Sequence, residues 1–450
     1  MAVFIVAKGM AIFMPEAVTM LLFIAGLLIC IGSGLSIFYA LIFGLGVFFV
    51  YGLIQRHSFR AMLKMSVKGV GTVKNILLVF VMIGALTAVW RAAGTIPYII
   101  YYSTKLISPH IFVLATFLLC SLISVLTGTS FGTSATMGVI CMTMGRAMGI
   151  NPLYIGGAAL SGSFFGDRCS PMSTSALLVR ELTHTDIYRN IRLMVATSAL
   201  PFALACAVFL ALGFLSGTGG IPRSAVGLFA ENFSLVWETV LPAAIILVLS
   251  AFRVDVRITI SLSVVCGGVI CMTEQGMRLP LLLRTLALGF RPQDAELSAM
   301  LSGGGLVSML SPAAIVFLSS TYSGIFEGTG LLSGLKKYIG AIGRKLNPYG
   351  AYIITSAFTA MLSCNQTLAI MLTDQLCGEL AGSDTRRAIC LENTAVIISP
   401  LIPWCIAGTV SLAAVGAPMS SIPFAGYLFF VPLWNWLLDF RKRKVSINIG

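Results

Sequence analysis

The stretch "TGTSFGTSATMG", Thr127–Gly138, decides how the rest of the chain is interpreted. Its twelve residues include four Thr, two Ser and three Gly, and an apolar run precedes it. A second stretch of this kind, "SGSFFGDRCSPMSTS", runs from Ser161 to Ser175 and carries Asp167. Both lie in a chain of 450 residues that is 58% hydrophobic and 10% charged, with a mean hydropathy of +0.97. Soluble proteins have about 25% charged residues, so this composition predicts a polytopic membrane protein.

Apolar runs long enough to cross a bilayer occur throughout the chain, and we expect about 10 to 13 spans or half-spans. Long apolar runs, rather than short alternating strands, predict an all-α helical bundle. We expect one integral membrane domain over residues 1–450. The clearest runs are Leu35–Ile54, Asn75–Val89, Ile111–Val125, Leu193–Leu215, Leu235–Phe252, Ile258–Met272, Tyr352–Leu372 and Ile422–Leu438.

The net charge of +13 is explained by basic residues between the spans rather than by a nucleic-acid partner. The strongest basic loop is Gln55–Lys74, and "RKRK" lies near the C-terminus at Arg441–Lys444. Because cytoplasmic loops of membrane proteins are rich in Lys and Arg, we expect the C-terminal tail in the cytoplasm and the protein in the cell membrane. The eleven cysteines are scattered without a CxxC pattern, so we expect them to serve packing. We expect no cofactor.

The two halves of the chain show a weak internal similarity. In each half a Gly-Thr pair, Gly94–Thr95 or Gly328–Thr329, precedes an apolar run and then a polar break. Each break is followed by a Ser-Pro pair, at Ser170–Pro171 and Ser399–Pro400. Repeats with interrupted helices are typical of secondary transporters, whose substrate site lies near the membrane midplane. We therefore predict interrupted helices in both halves, and inverted repeats by analogy. The repeats are approximately residues 68–215 and 300–438.

The first polar break contains the residue types that a non-helical, ion-coordinating segment needs. Gly128 and Gly132 permit unusual backbone dihedrals, and the hydroxyls of Thr129, Ser130 and Thr133 offer oxygen ligands to a cation. Broken helices survive in a membrane only where protein or a cavity satisfies their backbone groups. Close helix packing through small residues is the alternative interpretation.

Asp167 is the most informative acidic residue. From Ile111 to Asp167 the chain contains just one other charge, Arg146. A carboxylate at membrane depth is costly and is a functional hypothesis by default. Such a group can hold a proton in one step and a cation in the next, but never both. The alternative is a structural ion pair with Arg168, Arg180 or Arg146.

The second half offers one comparable acid and several neutral groups. Glu392 precedes its Ser-Pro by seven residues, and is either a second titratable acid or an interfacial acid at a helix start. The amides of Asn365 and Gln366 can coordinate a cation or bond a polar substrate, and helix–helix hydrogen bonding is an equal alternative. Ser399 adds a hydroxyl, and Asp374 is a weaker candidate.

These motifs resemble those of the NhaC family of sodium/proton antiporters. The likeness extends from about Lys68 to Gly408. The resemblance implies exchange of sodium for protons, and in some relatives coupling of these ions to organic acids such as malate and lactate. The motifs that carry it are "WRAAGTIP" (Trp90–Pro97), "YYSTKLISP" (Tyr101–Pro109), "TGTSFGTSATMGV" (Thr127–Val139), "SGSFFGDRCSP" (Ser161–Pro171) and "SPLIPW" (Ser399–Trp404).

Three positions depart from the family's pattern, and at each a neutral residue replaces an acid. Thr174 stands where the family has the acid of Ser-Asp, Asn365 where it has Gly-Asp-Gln, and Asn393 where it has Glu-Asp-Ser-Gly. Asp167 and Glu392 remain. Fewer carboxylates predict weaker binding of a monovalent cation, which favours organic-acid exchange or a changed stoichiometry as the alternative.

The sequence therefore predicts a secondary active transporter that exchanges Na⁺, or another monovalent cation, for H⁺ by alternating access. Asp167 is the predicted shared carboxylate and Glu392 an auxiliary acid. The predicted oxygen or amide ligands are Thr129, Ser130, Thr133, Ser170, Asn365, Gln366 and Ser399, and the predicted helix breaks are Gly128, Gly132, Pro171 and Pro400.

The first alternative is an organic-acid or amino-acid carrier coupled to H⁺ or Na⁺. Helix N-termini and a base, Arg168 or Arg146, would then hold a carboxylate. A membrane-embedded enzyme is disfavoured because the chain has no HExxH motif and no histidine at membrane depth. Two oxygen-rich breaks with a lone buried acid favour a carrier over a channel. The lipid bilayer is the expected environment, and the oligomeric state, a homodimer included, stays open.

Overall fold

The computed structural model describes residues 15–33, 37–71, 73–103, 108–216, 229–252, 254–294, 297–298, 301–331 and 347–447. Within these ranges the regular structure is helical, and one isolated bridge joins Phe290 and Gly303. The predicted all-α class is confirmed.

The helices are numbered here in chain order. The first eleven are α1 Pro15–Gly32, α2 Ile37–Ile54, α3 Phe59–Gly71, α4 Lys74–Ala92, α5 Thr95–Ser103, α6 Pro109–Thr127, α7 Ser130–Thr133, α8 Val139–Ala147, α9 Pro152–Cys169, α10 Thr174–Thr183 and α11 Ile187–Leu215. The others are α12 Leu241–Ala251, α13 Val256–Thr273, α14 Leu279–Leu288, α15 Leu310–Thr329, α16 Pro348–Ser363, α17 Gln366–Cys377, α18 Asp384–Asn393, α19 Ala395–Ile398, α20 Ile406–Val415 and α21 Gly426–Ile447. A π turn, Ser134–Gly138, joins α7 to α8, and 3₁₀ turns are Trp237–Val240, Leu306–Met309, Gly378–Ala381, Ser399–Leu401 and Met419–Phe424.

Several helices have the length and composition of membrane spans. Among the described residues, Pro109–Thr127, Ile187–Leu215 and Leu306–Phe326 are long and apolar enough to cross a bilayer. A broken pair, Asp384–Leu401 and Ile406–Val415, is bent by 58° and would make a fourth span. These features fit a multi-pass membrane protein, and the total of about 10 to 13 spans stays a prediction. The shorter apolar helices are Phe38–Ile54, Leu77–Ala92, Trp237–Leu249, Arg257–Thr273 and Leu279–Leu288.

Two predictions about local structure were wrong. The run Tyr352–Leu372 is not one continuous span, because α16 ends before Cys364 and α17 begins after Asn365. The basic stretch Gln55–Lys74 is not a loop throughout, because it contains α3. Met62, Ser66 and Gly69 recur at helical spacing and are buried, so one face of α3 is packed against the protein. The prediction of a loop rested on the many basic residues and did not consider this spacing.

The chain divides into two compact units. Unit 1 consists of Met1–Asn75, Ala313–Thr409 and Trp436–Gly450, and unit 2 of Ile76–Pro312 and Val410–Asn435. The predicted repeats do not coincide with these units and stay a prediction. Part of the second repeat, residues 332–346, and part of the "YYSTKLISP" motif, residues 104–107, lie outside the described residues.

An aromatic cluster forms part of the core of unit 1. Phe48 lies between neighbours on three sides, with ring centroids 5.0 Å from Phe23, 5.0 Å from Tyr322 and 4.7 Å from Phe326. Pairs of rings at such separations in tilted or edge-to-face geometry add to the stabilisation from buried apolar area. The cluster therefore joins α1, α2 and α15 within this unit.

Close packing of α6 against α9 organises unit 2. A Cβ atom on Gly162 of α9 would lie 2.6 Å from the carbonyl oxygen of Phe117, and one on Gly166 would overlap the backbone of Ser124. The two helices also share a hydrogen bond, from the Ser124 hydroxyl to the Ser163 carbonyl. Small residues at such a crossing let helix backbones approach closely. This contact fixes the end of α9, which carries Asp167, against the end of α6.

Candidate ion-binding site

The first break is a two-residue turn between α6 and α7. Gly128 adopts the left-handed conformation, with φ of 68°, and its N–H donates to the Ser124 carbonyl at 2.8 Å. Thr129 is extended, with φ of −144°, and its hydroxyl oxygen accepts from the N–H of Gly132 at 3.2 Å. Thr129 is thus the N-cap of the next helix, which explains why helix resumes at once.

The hydroxyl groups of the break are hydrogen-bonded inside it. Thr133 donates to the Thr129 carbonyl at 2.9 Å, and its Oγ1 lies 3.3 Å from that of Thr127. Thr136, in the π turn, donates to the Gly132 carbonyl at 2.7 Å. A hydroxyl that donates its proton still has two acceptor lone pairs. The break therefore presents oxygen acceptors whose protons point back into the helix, an arrangement that suits a cation.

Asp167 lies near the C-terminal end of α9 and is buried, with 4% of its surface exposed. The Ser173 hydroxyl donates to its Oδ1 at 3.2 Å, and the Ser175 hydroxyl donates to its backbone carbonyl at 2.9 Å. The two serine oxygens lie 2.8 Å apart. α9 ends at Cys169, and Ser170 and Pro171 follow in the turn that leads to α10. The turn after α9 thus folds back and supplies the carboxylate with a hydroxyl partner.

The structure brings the two polar stretches of the sequence together. The Ser170 hydroxyl donates to the carbonyl of Val125, in the last turn of α6, at 2.8 Å. A Cβ atom on Gly128 would lie 2.7 Å from the carbonyl carbon of Met172. The turn after Asp167 therefore packs directly on the residues that enter the first break.

Sequence reasoning missed several hydroxyls that surround this region. Ser173 and Ser175 contact Asp167, and the hydroxyls of Ser134 and Ser163 lie 3.0 Å apart where the π turn meets α9. Ser173 carried a usable signal, since a serine just before a helical stretch is a typical N-cap, and it caps α10 through the N–H of Ala176. Ser163 carried none, because its partner is 29 residues away in the sequence.

Arg168 is fully buried, and its hydrogen bonds run to α11 and α21. Its Nη1 donates to the Tyr427 hydroxyl at 2.9 Å, and its Nη2 donates to the Met194 carbonyl at 3.1 Å and to the Thr197 hydroxyl at 3.2 Å. These bonds tie the end of α9 to two further helices of unit 2. Arg180, another predicted partner of Asp167, is exposed.

The break in unit 1 has the same backbone geometry as the first. α16 ends at Ser363, and the next residue, Cys364, is left-handed with φ of 53° and donates its N–H to the Ala360 carbonyl at 3.1 Å. Asn365 is extended, with φ of −142°, and its Oδ1 accepts from the N–H groups of Thr367 and Leu368 at 2.9 and 3.4 Å. The amide that stands where the NhaC pattern has an acid therefore caps α17.

The other predicted residues of unit 1 lie on both sides of a second interruption. Gln366 donates its Nε2 to the Val396 carbonyl at 3.1 Å, which joins the start of α17 to α19. Ser399 donates its hydroxyl to the Ala395 carbonyl at 2.6 Å, and Pro400 follows in a 3₁₀ turn. These bonds hold the two interrupted segments of unit 1 together.

Glu392 is fully buried near the end of α18. Helix α18 stops at Thr394, whose φ of −125° and ψ of −76° lie outside the helical region. The Ser356 hydroxyl donates to that of Thr394 at 2.9 Å, and Asn393 is also fully buried. This acid therefore sits beside a break within its unit.

Asp374 forms an ion pair with Arg387. Nε and Nη2 of the arginine lie 2.5 Å from Oδ1 and Oδ2 of the aspartate, and the Asp374 side chain is 5% exposed. Such two-point contacts are the strongest geometry for this type of pair. Asp374 is thus engaged in joining α17 to α18.

The residues Gly128–Gly132 have the Gly-x-Ser-x-Gly spacing of serine hydrolases. That motif requires a sharp turn from a strand into a helix, with a histidine within reach of the serine. Here α6 precedes the turn, and Ser130 has no hydrogen bond to a histidine of the described residues. Ser130 is half-buried at the start of α7.

Broken membrane helices beside a buried carboxylate define a class of protein, the secondary active transporters. The family follows from the whole sequence. The family model described as the Na⁺/H⁺ antiporter family matches residues 1–183 and 162–435. The chain therefore belongs to the Na⁺/H⁺ antiporter family, which is a transporter family rather than an enzyme class.

Individual relatives align over most of the chain. It is 28% identical over 400 residues to the malate-2H⁺/Na⁺-lactate antiporter of Bacillus subtilis, covering 85% of this chain and 84% of the relative. It is 26% identical over 389 residues to the Na⁺/H⁺ antiporter NhaC of Alkalihalophilus pseudofirmus, covering 83% and 82%. It is 25% identical over 406 residues to the arginine/ornithine antiporter ArcD of Halobacterium salinarum, covering 85% and 81%.

Proposed function

We propose that this protein exchanges Na⁺, or another monovalent cation, for H⁺ across the cell membrane. The observation that carries the proposal is the buried carboxylate of Asp167, held by the Ser173 hydroxyl at 3.2 Å next to a helix break. Burial favours the neutral form of a carboxyl group unless a positive charge compensates it. The group then binds either a proton or a cation, and this exclusion couples the two ions.

The neighbouring oxygens complete the proposed site. Ser170 lies in the turn after Asp167, and Thr129, Ser130 and Thr133 lie in the break against which that turn packs. Sodium takes oxygen ligands of this kind, from hydroxyls and carbonyls as well as carboxylates. Helix breaks supply such ligands because their backbone carbonyls are not used in a regular helix.

The break in unit 1 is proposed to provide further ion ligands within that unit. Asn365 and Gln366 enter α17, Ser399 lies at the next interruption, and Glu392 would act as an auxiliary acid. The oxygen of Asn365 already accepts two N–H groups. A cation would therefore depend on Glu392 more than on this amide.

An organic-acid or amino-acid carrier is the second candidate function. It is favoured because three positions that are acidic in the NhaC pattern are neutral here, which leaves fewer carboxylates to bind a cation. Of these residues, Thr174 is exposed, Asn365 caps a helix, and Asn393 has a side chain that cannot titrate. It is also favoured by relatives whose names include malate, lactate, arginine and ornithine. We further propose that the C-terminal tail lies in the cytoplasm, because of its basic residues.

The test uses everted membrane vesicles with an acid interior, monitored by a pH-sensitive dye. Na⁺, Li⁺, K⁺, malate and lactate are added in turn to wild type, Asp167→Asn and Asp186→Asn. Asp186 is a matched control, because it is exposed, caps α11 through the Arg189 N–H at 2.8 Å, and Asn caps about as well as Asp. We expect addition of a cation to produce dye recovery in wild type and Asp186→Asn, but not in Asp167→Asn.

Other outcomes separate the alternatives. Undiminished exchange in Asp167→Asn would refute the role of Asp167, and Glu392→Gln would then be tested in the same assay. Recovery only with malate or lactate, after subtraction of passive permeation by the neutral acid, would replace cation exchange by the organic-acid carrier.

A further inference from the structure

Unit 2 contains a cleft of about 480 Å³ that two arginines line. Arg91 comes from the last turn of α4, within the "WRAAGTIP" motif, and Arg146 comes from the last turn of α8. Neither residue has a place in the proposed cation site. None of the residues described as lining the cleft is acidic. Clefts of this size fit small organic ligands.

Both guanidinium groups have N–H donors that remain available to a ligand. Arg91 donates Nη1 to the Thr87 carbonyl at 2.7 Å, and Arg146 donates Nη2 to the Gly416 carbonyl at 2.6 Å. A guanidinium group has five N–H donors and is always charged, so each keeps most of its donors. Neither arginine forms an ion pair within the part of the chain that the structure describes. Each positive charge in the cleft is therefore uncompensated there.

Three of the four hydroxyl side chains that line the cleft donate their protons to nearby backbone carbonyls. Thr87 donates to the Ile83 carbonyl at 2.9 Å, Thr143 to its own helix at 2.8 Å, and Ser308 to the Gly305 carbonyl at 2.7 Å. Their protons are used locally, as in the first break. Arg91 and Arg146 are the charged side chains described in the lining, so the cleft is positively charged, which suits an anion.

A glycine turn forms a close wall beside Arg91. Gly303, Gly304 and Gly305 have φ values of 132°, 75° and 79°, which L-residues rarely adopt. A Cβ atom on Gly303 would lie 3.9 Å from Cζ of Arg91, and the Gly305 N–H donates to the Gly84 carbonyl at 2.7 Å. The wall is fixed to α4, so the Arg91 guanidinium is held against backbone rather than against another side chain.

From this geometry we infer that the cleft binds a small carboxylate anion, with Arg91 and Arg146 as its two anchors. A carboxylate accepts two parallel hydrogen bonds from one guanidinium group, and two such groups in one cleft favour a dicarboxylate over a monocarboxylate. This inference names the organic solute for the second candidate function and rests on that proposal. It assigns the carboxylate to Arg91 and Arg146 and excludes Arg168, whose guanidinium is buried among α11 and α21.

The cleft is connected to the first break through the chain itself. Arg146 follows Gly138, the end of the π turn, by eight residues of continuous helix, which is about 12 Å along the axis. An anion bound by Arg146 therefore contacts the same continuous helix that begins at the proposed cation site. This provides a direct physical link between anion binding and the break.

The test is a ligand titration of the purified full-length protein in detergent, with the melting temperature as readout. Malate is the dicarboxylate probe, lactate the monocarboxylate, and phosphatidylglycerol the anionic-lipid probe. The variants are Arg91→Gln, Arg146→Gln and, as a matched control, Arg189→Gln, whose arginine is exposed on α11. We expect malate to stabilise wild type and Arg189→Gln, with an apparent Kd about 10- to 100-fold higher in each cleft variant. Lactate should bind more weakly than malate.

Three results would overturn the inference. One is the absence of any malate effect on wild type, and another is an unchanged malate affinity in Arg91→Gln and Arg146→Gln. The third is stabilisation by phosphatidylglycerol alone, which would make the cleft a lipid site. Cation/proton exchange by wild type is measured separately in the vesicle assay. Failure of that exchange refutes the proposed cation function, while the malate titration still decides the role of the cleft.

Discussion

The ion pair between Asp374 and Arg387 allows a prediction of stability from geometry. In Asp374→Asn the uncharged amide replaces the carboxylate and its oxygen accepts only one of the two N–H groups, which now lie 2.5 Å from carboxylate oxygens. Breaking a fully buried pair by removing one partner costs about 3–5 kcal/mol, because a buried charge is left uncompensated. The Arg387 side chain is 28% exposed, so water screens part of that charge. We expect a loss of about 2–3 kcal/mol of folding free energy.

The assay is thermal unfolding of the detergent-solubilised protein, followed by fluorescence-detected size exclusion. For a unit of about 200 residues, a loss of this size lowers the melting temperature by about 4–12 °C. Removing both charges in Asp374→Asn/Arg387→Gln should restore much of the loss, since no uncompensated charge remains. Asp255→Asn is the control, because Asp255 and its partner Arg257 are 46% and 48% exposed. The control should lose much less, about 0.2–1 kcal/mol at neutral pH.

Two results would refute this reasoning. If Asp374→Asn had the same melting temperature as wild type, the ion pair would make no net contribution to the folding free energy. A double variant that melts no higher than the single one would mean that the uncompensated charge of Arg387 is not the cause. We also expect Asp374→Asn to retain cation/proton exchange per folded molecule, because both oxygens of its carboxylate are engaged by Arg387.

Two further predictions concern backbone conformation and pH. Gly128→Ala should lose about 1 kcal/mol of stability because Gly128 is left-handed, and about 1–3 kcal/mol more because the new Cβ atom would overlap Met172. Gly276 is also left-handed but has open space around it, so Gly276→Ala should show only the first loss. Equal melting temperatures of the two variants would contradict this prediction. Hydrogen bonds from the Arg257 side chain and backbone lower the pKa of Asp255 below its usual value of about 3.9. The ionised Asp255 therefore stabilises the folded protein fully above its unfolded-state pKa, and this stabilisation is lost as pH falls through its lower folded-state pKa. The stability difference between wild type and Asp255→Asn should accordingly shrink below about pH 4. A difference that does not depend on pH would contradict it.

The helical class and the first break could be predicted from composition because their causes are local. Gly128 and Thr129 combine the residue that tolerates a left-handed turn with one that caps the next helix, and both properties belong to the residues themselves. The break at Cys364 was harder to predict, because a residue with a Cβ atom is uncommon in that conformation. The amides of Asn365 and Gln366 marked this break in the sequence.

The contacts of the site depend on folding that a sequence does not display. Ser173 lies six residues after Asp167 and reaches it because the turn between α9 and α10 folds back, and the spacing alone does not fix the direction of that turn. Arg91 and Arg146 are 55 residues apart in the sequence, and line one cleft only because α4 and α8 pack in the same unit. The direction of Arg168 toward Tyr427, far along the chain, was likewise not predictable.

Proton release on sodium binding tests the central claim most directly. Na⁺ is added to purified protein in weakly buffered detergent solution, and the change in pH is compared for wild type, Asp186→Asn and Asp167→Asn of equal folded fraction. If Asp167 is the carboxylate for which the two ions compete, wild type and Asp186→Asn release protons and Asp167→Asn does not. Proton release from Asp167→Asn equal to that of wild type would contradict the account.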